Sequence, residues 1–185
     1  MPQFEQIAWP IRIGLIGDTH VHTSDWRVPR WIDEAFDGVD LILHLGDVCH
    51  PSVLEALARI APVRAVVGNN DVSSLREQLP SRLLLQSGDV RIGVVHGHEP
   101  VESPWRTAKA RAEAQFAGFV RVGIYGHSHW PEVRQTRGTL LLVNPGSPLQ
   151  PRRSNRRCVG MLTIDDTIDA RLIDAPPLGI ATQLP

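Results

Sequence analysis

Apolar residues in this chain come in short, nearly unbroken runs rather than in alternation. Residues 11–16, 41–45, 63–67, 92–95 and 120–125 are dominated by Val, Ile and Leu. Runs of that length and composition predict strands buried on both faces of a sheet. Between the early runs lie two segments with helical character. One covers 29–36, with Pro29 favourable in a first turn. The other covers 51–60, where Val53, Leu54, Leu57 and Ile60 recur at helical spacing and Ser52 is placed to cap. Strand–helix–strand units of this kind predict a parallel sheet in the first half. Later, 82–86 and 90–95 flank Ser87-Gly88-Asp89, 132–136 and 140–143 flank Arg137-Gly138, and 159–164 and 167–173 flank Asp165-Asp166. These read as three hairpins, and the alanine-rich stretch 107–116 reads as a helix. Helical crossovers followed by antiparallel strands suggest two packed sheets with helices outside. The stretch from Pro176 to Pro185 reads as an irregular tail.

Five polar fragments follow these runs: Asp18-Thr19-His20, Gly46-Asp47, Gly68-Asn69-Asn70-Asp71, His96-Gly97-His98 and Gly126-His127-Ser128-His129. Residues at the carboxyl ends of neighbouring strands converge, and open α/β sheets bind ligands at that edge. Singly, each fragment has a plain structural reading. Gly-Asp and Gly-Asn-Asn-Asp are common turns because Gly, Asn and Asp suit such backbone angles. Together they would gather two Asp, one Asn and up to four His, an oxygen and imidazole set that suits Mn²⁺, Fe, Ni²⁺, Co²⁺ or Zn²⁺ better than Ca²⁺ or Mg²⁺. All eight histidines lie in or near these fragments.

Composition narrows the rest. A chain of 185 residues is expected to form one domain over 1–185 and to bury roughly 70% of its unfolded surface. A net charge of −1 gives no pull toward long nucleic acids or anionic membranes. The pair Cys49 and Cys158 is too small for a disulfide framework and points to a reducing cytoplasm. The first residues lack the pattern of a signal peptide, and no segment approaches the ~20 apolar residues of a membrane span.

The ordered set of fragments resembles the calcineurin-like metallophosphoesterases, over about residues 11–173. The Gly-Asn-Asn-Asp form and the run Asn144-Pro145-Gly146-Ser147-Pro148 are similar to the small bacterial and archaeal phosphodiesterase branch of the YfcE type. The resemblance implies a four-layer αββα sandwich of two mixed sheets with a dinuclear metal site at the strand ends. By motif, Asp18 and His20 would bind the first metal and Asp47 would bridge both. Asn69, His96 and His127 would bind the second, and His129 would return to the first. Two divalent transition-metal ions, Mn first among the candidates, would activate a bridging water for in-line attack on a phosphodiester. The expected partner is a small organic or nucleotide phosphodiester; the oligomeric state stays open. A phosphomonoesterase or nuclease of the same superfamily, or a non-catalytic Vps29-like scaffold, are the alternatives.

One position departs from many relatives, which carry His after the metal-binding Asn. Here Asn70 stands there, able to donate hydrogen bonds to substrate but not to transfer a proton at neutral pH. His98 could supply the missing acid or be structural. His22 and His50 could orient ligands, and His44, inside a strand, reads as packed. Among Arg152, Arg153, Arg156 and Arg157, at most one, Arg152 for instance, is expected to grip phosphate, the others forming a solvated loop. Trp26, Trp31, Trp105 and Trp130 could stack on substrate or serve the core.

Overall fold

A computed structural model describes residues 2–98 and 107–177. One sheet holds five strands in the order β11-β10-β2-β3-β4. Of these, β2 (Ile11–Ile16), β3 (Leu41–His44) and β4 (Val63–Ala65) run parallel. The hairpin of β10 (Cys158–Ile164) and β11 (Ile168–Asp174) pairs antiparallel onto β2. The second sheet has six strands in the order β1-β5-β6-β7-β9-β8. It contains β1 (Glu5–Ile7), β5 (Arg82–Ser87), β6 (Val90–Val95), β7 (Val122–Tyr125), β8 (Glu132–Gln135) and β9 (Leu141–Asn144).

Three apolar clusters define four layers. Ile13, Leu15 and Leu43 from the first sheet meet Val94, Ile124 and Val143 from the second between the sheets. Helices α1 (Arg30–Ala35), α2 (Ser52–Leu57) and α3 (Ser73–Gln78) cover the outer face of the first sheet. There Ile32, Val53, Leu57 and Leu75 pack with Ile16, Ile42 and Met161. Helix α4 (Ala108–Phe116) covers the second sheet through Ala112 and Phe116. The αββα expectation is met.

Several local expectations are corrected. The late strands are not uniformly antiparallel, since β6, β7 and β9 run parallel. Helix α4 carries the chain from β6 back to start β7, and the excursion of β8 to the sheet edge lets β9 insert beside β7. Strand β1 was not expected because Glu5-Gln6-Ile7 is too short and too exposed to show a pattern. Helix α3 buries only Leu75, which leaves no helical periodicity to read. Ser52 does not cap α2: its hydroxyl donates to Thr23 O (3.0 Å), while the His50 ring accepts from the Ser52 N–H (3.2 Å). His50 thus serves the helix start. Trp26 and Trp31 pack against the outer cluster of the first sheet, whereas Trp130 is exposed and Trp105 lies outside the described residues.

Glycines within strands serve aromatic rings from the outer layers. Phe36, closing α1, lies over Gly14, and Phe116, closing α4, lies over Gly93 and Gly123. A Cβ on Gly14 would sit 2.9 Å from the Phe36 ring, and one on Gly93 would overlap Phe116. A Gly93→Ala substitution should therefore destabilise the chain by about 1–3 kcal/mol, the range for overpacked cores. Urea unfolding of the metal-free protein measures this, and an unchanged midpoint would show that the ring moves aside freely.

Candidate metal centre

The parallel strands of both sheets end at one edge of the sandwich. Asp18 and His20 leave β2, Asp47 leaves β3, Asn69 and Asn70 leave β4, His96 and His98 leave β6, and His127 and His129 leave β7. The chain turns sharply at these ends. Asp18, His20, Asp47, Cys49, His127 and His129 all take left-handed backbone angles, with φ from 49° to 66°. Such angles cost a non-glycine residue about 1–3 kcal/mol each, so the surroundings must enforce them. The Asp18 N–H donates to Gly46 O and the His20 N–H to Asp47 O, both at 3.0 Å. Two of the turns are thereby laced together.

Two groups of ligand atoms result. Asp18, His20 and His129 form one, and Asp47, His96 and His127 the other, each with its ligand atoms within 4.8 Å of one another. In the first group the Nε2 atoms of His20 and His129 lie 3.1 Å apart, and Asp18 Oδ1 is 3.5 Å from His129 Nε2. Asp47 reaches both groups: its Oδ2 is 3.5 Å from His20 Nε2 and 3.4 Å from His96 Nε2. Second partners orient the rings. The Nδ1–H of His96 donates to Leu45 O (2.6 Å), and that of His129 donates to Gln150 O (2.5 Å). Neutral rings that donate from Nδ1 leave Nε2 as a lone pair aimed inward, the usual arrangement of metal-binding histidine.

Among the described residues, three buried atoms of this centre have no hydrogen-bond partner, both carboxylate oxygens of Asp18 and Nε2 of His96. Buried polar atoms are seldom left unpaired. Acceptors converging without donors fit divalent cations, and the oxygen and imidazole donor set suits transition metals.

Burial and neighbouring charges set the proton affinities of these groups. Burial pushes the Asp18 carboxyl up to about 7, against the pull of His96 and with the repulsion of Asp47. Burial acts on Asp47 in the same sense, but contact with His96 and hydrogen bonds from Asn70 outweigh it and hold that carboxyl below the usual range. Burial also disfavours charge on His96, yet the Asp47 and Asp18 carboxylates raise its proton affinity. His127 and His129 are pushed down to about 4 by burial, which keeps them neutral and able to act as ligands.

The remaining expected residues fall in different places. Asn70 donates its backbone N–H to Asp47 Oδ1 and its side-chain amide to Oδ2, both at 2.8 Å. Its amide therefore serves the central carboxylate. Asn69 is exposed, its backbone carbonyl accepting from Arg76. His98 is half-buried behind the second group, its ring centroid 5.1 Å from that of His96 and 6.3 Å from that of His127. His22 is exposed and His44 fully buried. Of the arginines, Arg156 pairs with Asp174 (3.0 Å) and Arg157 donates to Pro176 O (3.3 Å). Arg152 is exposed, and its positive charge acts on Asp18, His20 and His129.

Sequence reasoning missed the groups that fix the loops. Asp71 is buried and accepts from the N–H groups of Cys49 (2.7 Å) and Gly68 (2.6 Å). Arg76 donates to Asp71 O (2.7 Å) from the next helix. A Cβ on Gly68 would collide with the backbone and carboxylate of Asp47. The Ser147 hydroxyl donates to Asp18 O (2.7 Å). Asp71 stands in a quoted fragment, so its position was visible while its inward direction was not.

An αββα sandwich with a cation-binding centre of aspartates and histidines at the strand ends defines the class. Comparison with known proteins gives the family: the chain belongs to the calcineurin-like phosphoesterase superfamily, whose domain matches residues 11–167. It is 38% identical over 161 residues to a probable metallophosphoesterase of Methanocaldococcus jannaschii, covering 87% of this chain and 80% of that one. Zinc-complexed wild-type Vps29 of Entamoeba histolytica superposes with a TM-score of 0.67 at 24% identity, over 89% of this chain and 99% of that one. YfcE, a phosphoesterase of E. coli, superposes with a TM-score of 0.59 at 23% identity, over 88% and 98%. The motif resemblance to this superfamily is borne out, and the two solved structures share the fold.

The raised Asp18 carboxyl has a consequence for stability. Between the ordinary 3.8 and about 7, the folded ion-free chain keeps a proton that the unfolded chain has released. Its contribution to stability is therefore lost as pH rises through that window. An Asp18→Asn variant carries no such charge. Its stability relative to the parent, both treated with chelator, should grow from about pH 4 to about pH 8. Denaturant unfolding across that range checks it, and a pH-independent difference would refute it. Added divalent ion should stabilise the parent more than the variant.

Proposed function

We propose that the chain is a dinuclear metal-dependent phosphodiesterase acting on a small organic or nucleotide diester. The observation that carries this reading is Asp47, one carboxylate oxygen lying within 3.5 Å of imidazole nitrogens from both groups. In it, Asp18, His20 and His129 would hold one ion, His96, His127 and the Asn69 amide oxygen would hold the other, and Asp47 would serve both. Mn²⁺ is the first candidate, with Ni, Fe, Co or Zn as other members of the same ligand preference. When bound, such ions supply Lewis acidity at the phosphoryl oxygens and an activated water.

The chain's own residues do the rest. Leu45 O and Gln150 O keep His96 and His129 in the ligating tautomer. Asn70, beside Asp47, can offer an N–H to a phosphoryl oxygen once the carboxylate has other partners, and Arg152 adds positive charge at the mouth. A diester needs one negative charge neutralised. A monoester brings a second and an unactivated leaving oxygen that needs a proton. Asn70 cannot supply that proton. His98, half-buried behind the second group, is the remaining candidate for it. The scaffold alternative has the shared fold in its favour, and fold alone does not decide function.

Metal analysis should find close to two transition-metal ions per chain at saturation. Asp47→Ala should lower turnover of bis(p-nitrophenyl) phosphate by at least about 10²–10³-fold while leaving the far-ultraviolet circular dichroism intact. A single ion, or unchanged turnover in that variant, would sink the dinuclear reading. The diester should be cleaved faster than p-nitrophenyl phosphate. Equal rates would mean that an acid such as His98 already acts. Arg152→Ala should raise KM, more so at low salt, with kcat unchanged; Arg156→Ala, whose side chain is already paired, should change neither.

A further inference from the structure

His44 ends β3 directly beneath the metal centre, and nothing in the catalytic reading uses it. Its side chain is fully buried. It pairs across the sheet with Ile16, which belongs to the apolar cluster under the outer helices. A leucine or valine would bury well at such a position. The histidine instead brings Nε2 to 3.2 Å from the hydroxyl of Thr19 and leaves Nδ1 buried with no hydrogen-bond partner among the described residues. An imidazole half-satisfied in a packed interior costs stability, so its one contact calls for a reason.

Thr19 supplies one. It is buried, and it separates Asp18 from His20, both held at positive φ. Its hydroxyl also lies 3.4 Å from Asp47 O and 3.5 Å from Val48 O. Those carbonyls can only accept, so the single hydroxyl proton points to one of them when His44 donates. The opposite tautomer would bury Nδ1–H as an orphan donor, rarer than an orphan acceptor. The favoured chain runs from His44 Nε2–H to Thr19 Oγ1, and from Thr19 Oγ1–H to the carbonyl of Asp47. It ties the turn carrying two ligands of one group to the turn carrying the central carboxylate.

We propose that His44 is a positioning residue of the metal centre, acting through Thr19 to hold the Asp18–His20 turn against the Asp47 turn. The inference rests on the metal reading above. It assigns to His44 and Thr19 the task of setting the separation of the two ligand groups, with no contact to substrate.

The test uses cobalt(II) as the probe, followed by calorimetry and by its visible absorption, with the full chain. His44→Leu and Thr19→Val should each weaken cobalt binding by about 10–100-fold, the range for residues that orient ligands, and should alter the cobalt spectrum. Circular dichroism and the urea midpoint of the chelator-treated chains should not fall correspondingly. The double variant should lose no more than the larger single loss, because both act in one chain of bonds. His44→Gln and Thr19→Ser, which retain a donor and a hydroxyl, should recover most of the affinity. Parental affinity and spectrum in both His44→Leu and Thr19→Val, or additive losses in the double variant, would overturn the proposal. If His44→Leu does not fold, Thr19→Val against Thr19→Ser decides on the same criteria. A parent chain that takes up no cobalt overturns the metal reading and this proposal with it. A parent that binds cobalt while its variants match it overturns this proposal alone.

Discussion

Two carboxylates buried at one sheet edge set the terms for everything around them. Asp18 and Asp47 are both inaccessible to water, and each disfavours charge on the other. Among the described residues, the one nearby group whose proton affinity rises in response is His96, 3.4 Å from Asp47 and 4.0 Å from Asp18. His96 alone does not offset the burial of two carboxylates, and burial lifts the Asp18 carboxyl to about 7. Divalent ions would displace the Asp18 proton and supply the missing positive charge, which couples metal uptake to proton release. The neutral state of His127 and His129 belongs to the same solution, because protonated rings could not act as ligands.

Holding such groups together requires a backbone that ordinary strand ends do not provide. Three pairs of alternate residues, Asp18 and His20, Asp47 and Cys49, and His127 and His129, take left-handed angles. Asp and His tolerate this region better than branched residues do, but tolerance is not preference. The surroundings fix the conformation: backbone bonds between the first two turns, Asp71 accepting two N–H groups, Arg76 gripping the loop after β4, and Ser147 beneath Asp18. The rigid sheets below provide the anchor, since Leu45 carries a core side chain and also offers its carbonyl to His96.

The positions of the candidate ligand residues at the strand ends were legible in the sequence because each follows an apolar run that reads as a buried strand. The hairpins were legible from Gly88, Gly138 and Asp165-Asp166 for a similarly local reason. What could not be read was direction and partnership. Asn70 occupies the expected loop, yet its amide turns to Asp47. The carbonyls of Leu45 and Gln150 leave no trace in residue identity. Strand order also escaped, because the insertion of β9 between β7 and β8 depends on packing between distant segments. Helix α3, with a single buried residue, carries too little pattern to announce itself.

The two carboxylates are not equivalent, and the difference bears on what the fold is for. Asp47 has hydrogen bonds to both oxygens from Asn70, which satisfy it from within the chain. Asp18 has none. A neutral or apolar side chain in its place would relieve a buried group of its desolvation cost, as replacement of buried charge commonly does. A role confined to presenting a surface would give no reason for that cost. A centre built to take up cations does, because the lone pairs that hold them must then belong to groups that nothing else satisfies. The unpartnered oxygens of Asp18 are thus the clearest mark that this sheet edge is built to take up cations.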